Sequence, residues 1–326
     1  MNLIYQCYVD KSHKTPVQCE PISSYGPDIK NLSRLYNDMI MVSTESFKKY
    51  ADHIGAEYKF DRRSEIVSKG KDQHSASVYF EWLNVIFDTS YDKYDDIAIF
   101  DLDVVANTKE NIFEVSDAEV YGVNEADYRI YHSSDSPMSP WDKDPKSFSL
   151  WKNKINRSGF DMIGSVAGEK NALTDSAYWH FQGGMFVFSR EGRIKARETF
   201  SNWEEWFYDN HGHDPNQRVN CLHYDDIYVS VNVTNNDFNY ETLDPKWMDN
   251  PFYHDKPESD LGLKFMHFNG FWEKRQMCQW ALDSKFYWVT DYKTNPDRLL
   301  NKIKMLGVTK KTVDKSCPMA YNTYVN

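Results

Sequence analysis

The sequence predicts a layered α/β fold, and three observations carry that expectation. Strand-like and helix-like segments alternate along the chain. The N-terminal part reads as one β-α-β unit, right-handed by the general rule for parallel crossovers. Ile97-Ala98-Ile99-Phe100 is an unbroken apolar run, the pattern of a strand covered on both faces in the middle of a sheet.

In chain order, Met1 to Asp10 (MNLIYQCYVD) is the opening strand, and Pro16, Pro21, Gly26 and Pro27 mark the loop that leaves it. Leu32, Leu35, Tyr36, Met39, Ile40, Phe47, Tyr50 and Ile54 recur at helical spacing, and Ala56 to Phe60 is the next strand. Tyr79, Leu83, Ile86 and Phe87 predict a second helix, which passes through the polar turn Tyr91 to Asp96 into the apolar strand. From Asp127 to Trp179 periodicity is weak, and a loop of that length inside a domain is usually functional. Gly183 to Ser189, Tyr228 to Val233 and Leu263 to Phe268 read as later strands. The tail beyond Trp280, with a Lys-rich stretch from Lys302 to Lys315, reads as a helical appendage.

The chain of 326 residues carries 38 Lys plus Arg against 49 Asp plus Glu, a formal net charge of -11. That balance excludes a protein gripping phosphates over its whole surface and leaves room for a local basic groove only. Aromatic residues make up 16%, which excludes a disordered chain; such rings suit sugar stacking as well as a core. The first residues show no secretory pattern, and no apolar run approaches the roughly 20 residues of a membrane helix. The expectation is a soluble, cytoplasmic protein, or one in the host cytoplasm if viral. Cys7, Cys19, Cys221, Cys278 and Cys317 are odd in number and never form CxxC, which fits free thiols better than a disulfide scaffold or zinc ribbon. The N-x-S/T triplets at Asn31, Asn156 and Asn232 would matter only in a secreted protein.

Four constellations could carry chemistry. Asp101-Leu102-Asp103 follows the apolar strand at its carboxyl end, where open α/β sheets place ligands. In extended chain the two carboxylates project to the same side, which is costly unless a cation or water neutralises them. A divalent metal holding a nucleoside diphosphate is the economical explanation. Surface turns also produce DxD; the position after IAIF is what favours the site. The second constellation, Lys264 to Lys274 (KFMHFNGFWEK), delivers His267 from an apolar strand. As a third ligand beside two carboxylates, an imidazole favours Mn2+ over Mg2+ without excluding the latter. Gly270 would let backbone approach a phosphate, and Lys274 would offset the charge of a leaving diphosphate. The plain alternative for His267 is a hydrogen-bonded core histidine.

The third constellation, Phe181 to Ser189 (FQGGMFVFS), places Gly183 and Gly184 before an apolar strand, where close contact with a substrate or a tight turn would need them. In the fourth, His223 to Ile227 (HYDDI), Asp225 and Asp226 precede another strand-like segment; one of them could accept a proton from an acceptor hydroxyl, or both could be a solvated terminus. GxxxxGK[ST], GxSxG, HExxH and GxGxxG are all absent from the sequence, which removes the motifs of P-loop NTPases, α/β-hydrolases, zincins and classical dinucleotide-binding proteins.

In this order the motifs resemble those of a glycosyltransferase of the GT-A fold, nearest to the glycogenin-like and galactosyltransferase-like group. The resemblance spans Met1 to Lys274. It implies a Rossmann-like mixed central sheet flanked by helices, with a transferase domain over 1–280, an acceptor-side insertion at 127–179, and a C-terminal helical extension at 281–326. By that similarity Asp101 and Asp103 would hold the metal and sugar nucleotide, His267 would complete the metal site, and Gly270 with Lys274 would contact the diphosphate. Gln182, Gly183 and Gly184 would line the donor sugar, with Asp225 and Asp226 near the reacting centre. Gln182 stands where the family has Asn, and FWEK replaces its Lys-Pro-Trp. Asp225 falls near the position where retaining members carry Gln, so the stereochemical course stays open.

The implied activity is transfer of a sugar from a nucleoside diphosphate sugar, with UDP the expected nucleotide, to an acceptor hydroxyl, with Mn2+ or Mg2+ as cofactor. A glycan is favoured as acceptor over nucleic acid, because phosphate contacts need Lys and Arg. Arg62, Arg63, Lys69 and Lys71 keep open a hydroxymethylated DNA base as acceptor, as for a viral DNA glycosyltransferase. The rival of another class is a carbohydrate-binding module of transferase-like fold that holds no metal.

Overall fold

The β-α-β opening forms as the hydrophobic spacing predicts. Strand β1 (Leu3–Val9) pairs in parallel with β2 (Glu57–Arg63), and the crossover contains helix α1 (Leu32–Ile54). The helix stops at Gly55, whose φ of 72° is a left-handed conformation that a residue without Cβ adopts at no steric cost. The computed structural model describes residues 1–9, 32–63, 75–123, 181–206, 225–251, 262–268, 271–290 and 292. The expected loop at Pro16 to Pro27, the insertion at 127–179, His223, Gly270 and the tail beyond 292 lie outside the described residues.

Strand β3 (Asp96–Phe100) pairs in parallel with β1 on its other edge. After β4 (Val104–Ala106), the chain forms β5 (Val120–Val123) and β6 (Met185–Ser189); β6 inserts antiparallel between β3 and β5. With β7 (Tyr240–Leu243) parallel to β5, the six-stranded sheet has the order β2-β1-β3-β6-β5-β7. It is a mixed central sheet flanked by helices, as expected from the sequence. The apolar run of β3 is covered on both faces: Ile97 and Ile99 join a cluster with Trp82, Phe186 and Tyr228, while Ala98 and Phe100 join another with Phe47, Met185 and Phe265.

The segment with helical spacing before β3 is tighter than expected. It is a 3-10 helix over Ser75–Leu83 that passes into a single α-turn, α2 (Asn84–Phe87). Helix α3 (Arg190–Thr199) follows β6, capped by the Ser189 hydroxyl accepting from Gly192 N at 3.0 Å. A clear departure is Tyr228 to Val233, expected as a strand, which lies inside helix α4 (Asp225–Asn235). Every residue from Ile227 to Val233 is buried, yet Val229-Ser230-Val231-Asn232-Val233 alternates apolar and polar residues, the period of a strand, which hides the helix from the sequence pattern.

A small second sheet completes the site. Strand β8 (Met248–Asp249) pairs in parallel with β9 (Phe265–His267), and β9 pairs antiparallel with β4, giving the order β4-β9-β8. Helix α5 (Phe271–Leu282) packs on α1. Ala281, Phe286, Val289 and Tyr292 are buried in one cluster with Tyr8, Met39 and Met266.

Candidate active site

Asp101, Leu102 and Asp103 form the seam between the two sheets, because β3 belongs to the large sheet and β4 to the small one. The seam is a turn rather than the extended chain expected: Val104 N donates to Asp101 O at 3.3 Å. Its backbone is pinned from three sides. Asp101 N donates to Gly184 O at 3.1 Å, and the buried Gln6 amide of β1 donates to both Asp101 O at 3.0 Å and Ser43 Oγ at 2.8 Å. The Ser43 hydroxyl donates in turn to Val104 O at 2.7 Å. A buried amide whose hydrogen bonds are all made is a rigid support for the turn.

The pairing of β4 with β9 brings the distant histidine to this turn. Val104 is the register partner of His267, and Phe268 N donates to Asp103 O at 2.8 Å. One ligand atom each from Asp101, Asp103 and His267 lies within 4.8 Å of the others. Two carboxylate oxygens and an imidazole nitrogen suit a borderline divalent ion. The local wiring fits as well: Asp103 Oδ1 is buried and has no hydrogen-bond partner among the described residues, with His267 Nε2 at 3.3 Å from it. A buried carboxylate oxygen left open in this way is costly unless something positive fills the space.

Lys274, from α5, brings a positive charge to the other oxygen of the same carboxylate: its Nζ lies 2.9 Å from Asp103 Oδ2. Burial pushes the Asp103 carboxyl up, but Lys274 and then His267 outweigh it and hold it below the usual carboxylate range. Asp101 has an exposed side chain at the lip of the site. Crowding by protein on its inner side, with the negative charge of Asp103, raises its carboxyl. Burial disfavours the charged form of His267, yet the two aspartates outweigh that and raise its imidazole.

The glycine-bearing segment lies directly against this centre. A Cβ on Gly184 would sit 2.9 Å from His267 Cε1 and 3.0 Å from Nδ1, so only glycine leaves room for the ring. The Gln182 amide, also buried, places Nε2 3.1 Å from His267 Nδ1. Gly183 faces Asp226, whose Cβ is 3.5 Å from the position of a Cβ there. Asp225 and Asp226 open α4, where the helix dipole favours negative charge. Asp225 is buried and accepts from the Trp82 indole N–H. Burial, with the charges of Asp226 and Asp101, raises its carboxyl well above the carboxylate range. Trp82 had no signal in the sequence beyond its apolar neighbours.

The structure therefore brings Asp101, Asp103, Gln182, Gly183, Gly184, Asp225, Asp226, His267 and Lys274 into one region at the carboxyl end of β3. The basic patch is partly accounted for elsewhere. Arg63 donates to Glu81 Oε2 at 2.9 Å and to Asp61 Oδ2, and Arg62 lies over the Tyr8 ring; Lys69 and Lys71 lie outside the described residues. Among the described residues no helix is long and apolar enough to cross a membrane, and Cys7 is a free thiol.

No protein-family model and no curated protein sequence matches the chain. Solved structures with detectable likeness include a glycosyltransferase involved in glycosylation of the major capsid of PBCV-1, at 11% identity and a TM-score of 0.37, covering 85% of this chain and 98% of that one. Mouse xyloside xylosyltransferase 1 is 12% identical with a TM-score of 0.39, over 82% of this chain and 98% of that one. The galactosyltransferase LgtC, in complex with donor and acceptor sugar analogues, is 11% identical with a TM-score of 0.38, over 90% of this chain and 99% of that one.

Proposed function

We propose that this chain is a metal-dependent glycosyltransferase that moves a sugar from a nucleoside diphosphate sugar, with UDP the expected nucleotide, to a hydroxyl of a glycan acceptor. The observation that carries the reading is the convergence of Asp101, Asp103 and His267 at the end of β3, with one ligand atom of each within 4.8 Å of the others. Those three residues would hold Mn2+ or Mg2+, which when bound supplies Lewis-acid stabilisation of the charge that develops on the departing diphosphate.

Lys274 brings a second positive charge to the same place and, with Gly270, would face the diphosphate. The wall formed by Gln182, Gly183 and Gly184 would receive the donor sugar. Of the acidic pair, Asp225 is engaged by the Trp82 indole, so Asp226, beside Gly183, is the carboxylate we assign to orient or deprotonate an acceptor hydroxyl.

Thermal-shift screening against nucleoside diphosphate sugars, with and without Mn2+, tests the donor, because specific binding stabilises the folded state by mass action. Asp103→Ala is expected to abolish transfer while leaving the far-UV circular dichroism spectrum intact; full activity of that variant in EDTA would refute the metal assignment. Glycan binding indifferent to EDTA, with no donor turnover, would instead indicate the binding module. Acceptor binding that weakens steeply with salt would indicate DNA.

A further inference from the structure

Resting on the metal reading above, we propose that Gln182 is a positioning residue: by turning its amide it sets the tautomer in which His267 can ligate a metal. The amide Nε2 is a donor only, so at 3.1 Å from His267 Nδ1 it requires that nitrogen to accept. A neutral imidazole then carries its ring proton on Nε2, the nitrogen 3.3 Å from Asp103 Oδ1. In that tautomer Nε2 has no lone pair to offer.

The other end of the same amide answers the difficulty. Gln182 Oε1 is buried and has no hydrogen-bond partner among the described residues. A half-turn of the carboxamide, whose two ends have nearly the same shape, brings Oε1 to Nδ1. The ring proton passes from Nε2 to Nδ1, where Oε1 accepts its hydrogen bond, and the Nε2 lone pair faces Asp101 and Asp103. No proton is gained or lost. Ligating histidines are commonly oriented by such an acceptor on the second ring nitrogen. Gly184 leaves room for the ring at this position, since a Cβ there would sit 3.0 Å from Nδ1.

The test uses the full chain with 15N-labelled histidine at alkaline pH, where the imidazole is neutral, together with Mn2+ titration. The wild-type His267 signal is expected to report the Nε2–H tautomer in EDTA and the Nδ1–H tautomer with Mg2+. Gln182→Glu, whose carboxylate only accepts, should show the Nδ1–H tautomer without any metal. Gln182→Met should fold and bind Mn2+ about 10- to 100-fold more weakly. Wild-type Mn2+ affinity in Gln182→Met, or an Nε2–H signal in Gln182→Glu, overturns the proposal; should Gln182→Met fail to fold, the tautomer of Gln182→Glu decides alone. A wild-type chain that binds no divalent ion sinks the metal reading and this proposal together, whereas wild-type binding with indifferent Gln182 variants sinks this proposal only.

Discussion

Lys274→Met should make the site bind a divalent ion more tightly while making the metal-free protein less stable. The ammonium lies 2.9 Å from Asp103 Oδ2, and the two side chains are 14% and 12% exposed. At an effective dielectric of about 20, unit charges at that distance attract by about 6 kcal/mol before solvation is counted. Hydration of the released ammonium offsets most of this, leaving a net contribution of about 1–2 kcal/mol. An incoming dication must displace or tolerate that ammonium, so its removal should strengthen Mn2+ binding by about 5- to 30-fold, at tenfold per 1.4 kcal/mol. Without metal, Asp103 loses its partner and Tm in EDTA should fall by about 2–4 °C for each kcal/mol lost. Titration calorimetry with Mn2+ and thermal melts with and without the ion measure both effects. Mn2+ affinity that is unchanged or weaker in Lys274→Met, or a Tm loss that Mn2+ does not restore, would show that Lys274 and the metal do not share Asp103.

Gly184→Ala puts a methyl group 2.9 Å from His267 Cε1, so the ring must move, and Mn2+ affinity should fall about tenfold or more with the fold retained; calorimetry showing wild-type affinity would mean that the ring has room. Asp225→Asn should stabilise the protein increasingly as pH rises. The folded-state Asp225 carboxyl is raised above its unfolded value, so the native state binds the extra proton and wild-type stability falls from the unfolded pKa upward, while the amide does not titrate. Melts at acid and alkaline pH should show the gain at the alkaline end only, about 2–4 °C per kcal/mol recovered; an equal effect at every pH would contradict it. Burial pushes the Cys7 thiol up to about 12, so a thiol reagent at neutral pH should leave the Cys7 peptide unlabelled until denaturant is added, as read by mass spectrometry.

Much of the architecture was legible because it depends on near-neighbour pattern. The spacing of Met39, Ile40, Phe47 and Tyr50 marks α1, and the run Ile97 to Phe100 marks a strand with two covered faces; both form within a residue or two of the expected limits. The pattern failed where it mimicked another element. In helix α4, Val229-Ser230-Val231-Asn232-Val233 alternates apolar and polar side chains with the period of a strand, although the fold buries every one of them in a helix. The 3-10 geometry of Ser75–Leu83 is likewise invisible to a 3.6-residue template, since packing selects the tighter turn.

The candidate ligands could be named from the chain because an acidic pair after a buried strand, and a histidine at the end of another, are local signals. Their meeting is a tertiary fact. Asp103 and His267 are neighbours only because β4 and β9 pair antiparallel with Val104 opposite His267. The same holds for Lys274 on Asp103, Gln182 on His267 and Trp82 on Asp225. The amino-acid order by itself determined which segments are apolar, acidic or glycine-bearing, and so which elements could exist. Only the folded chain decided which charges share a desolvated space, because electrostatic energy depends on distance and burial, and neither can be read from separation along the sequence.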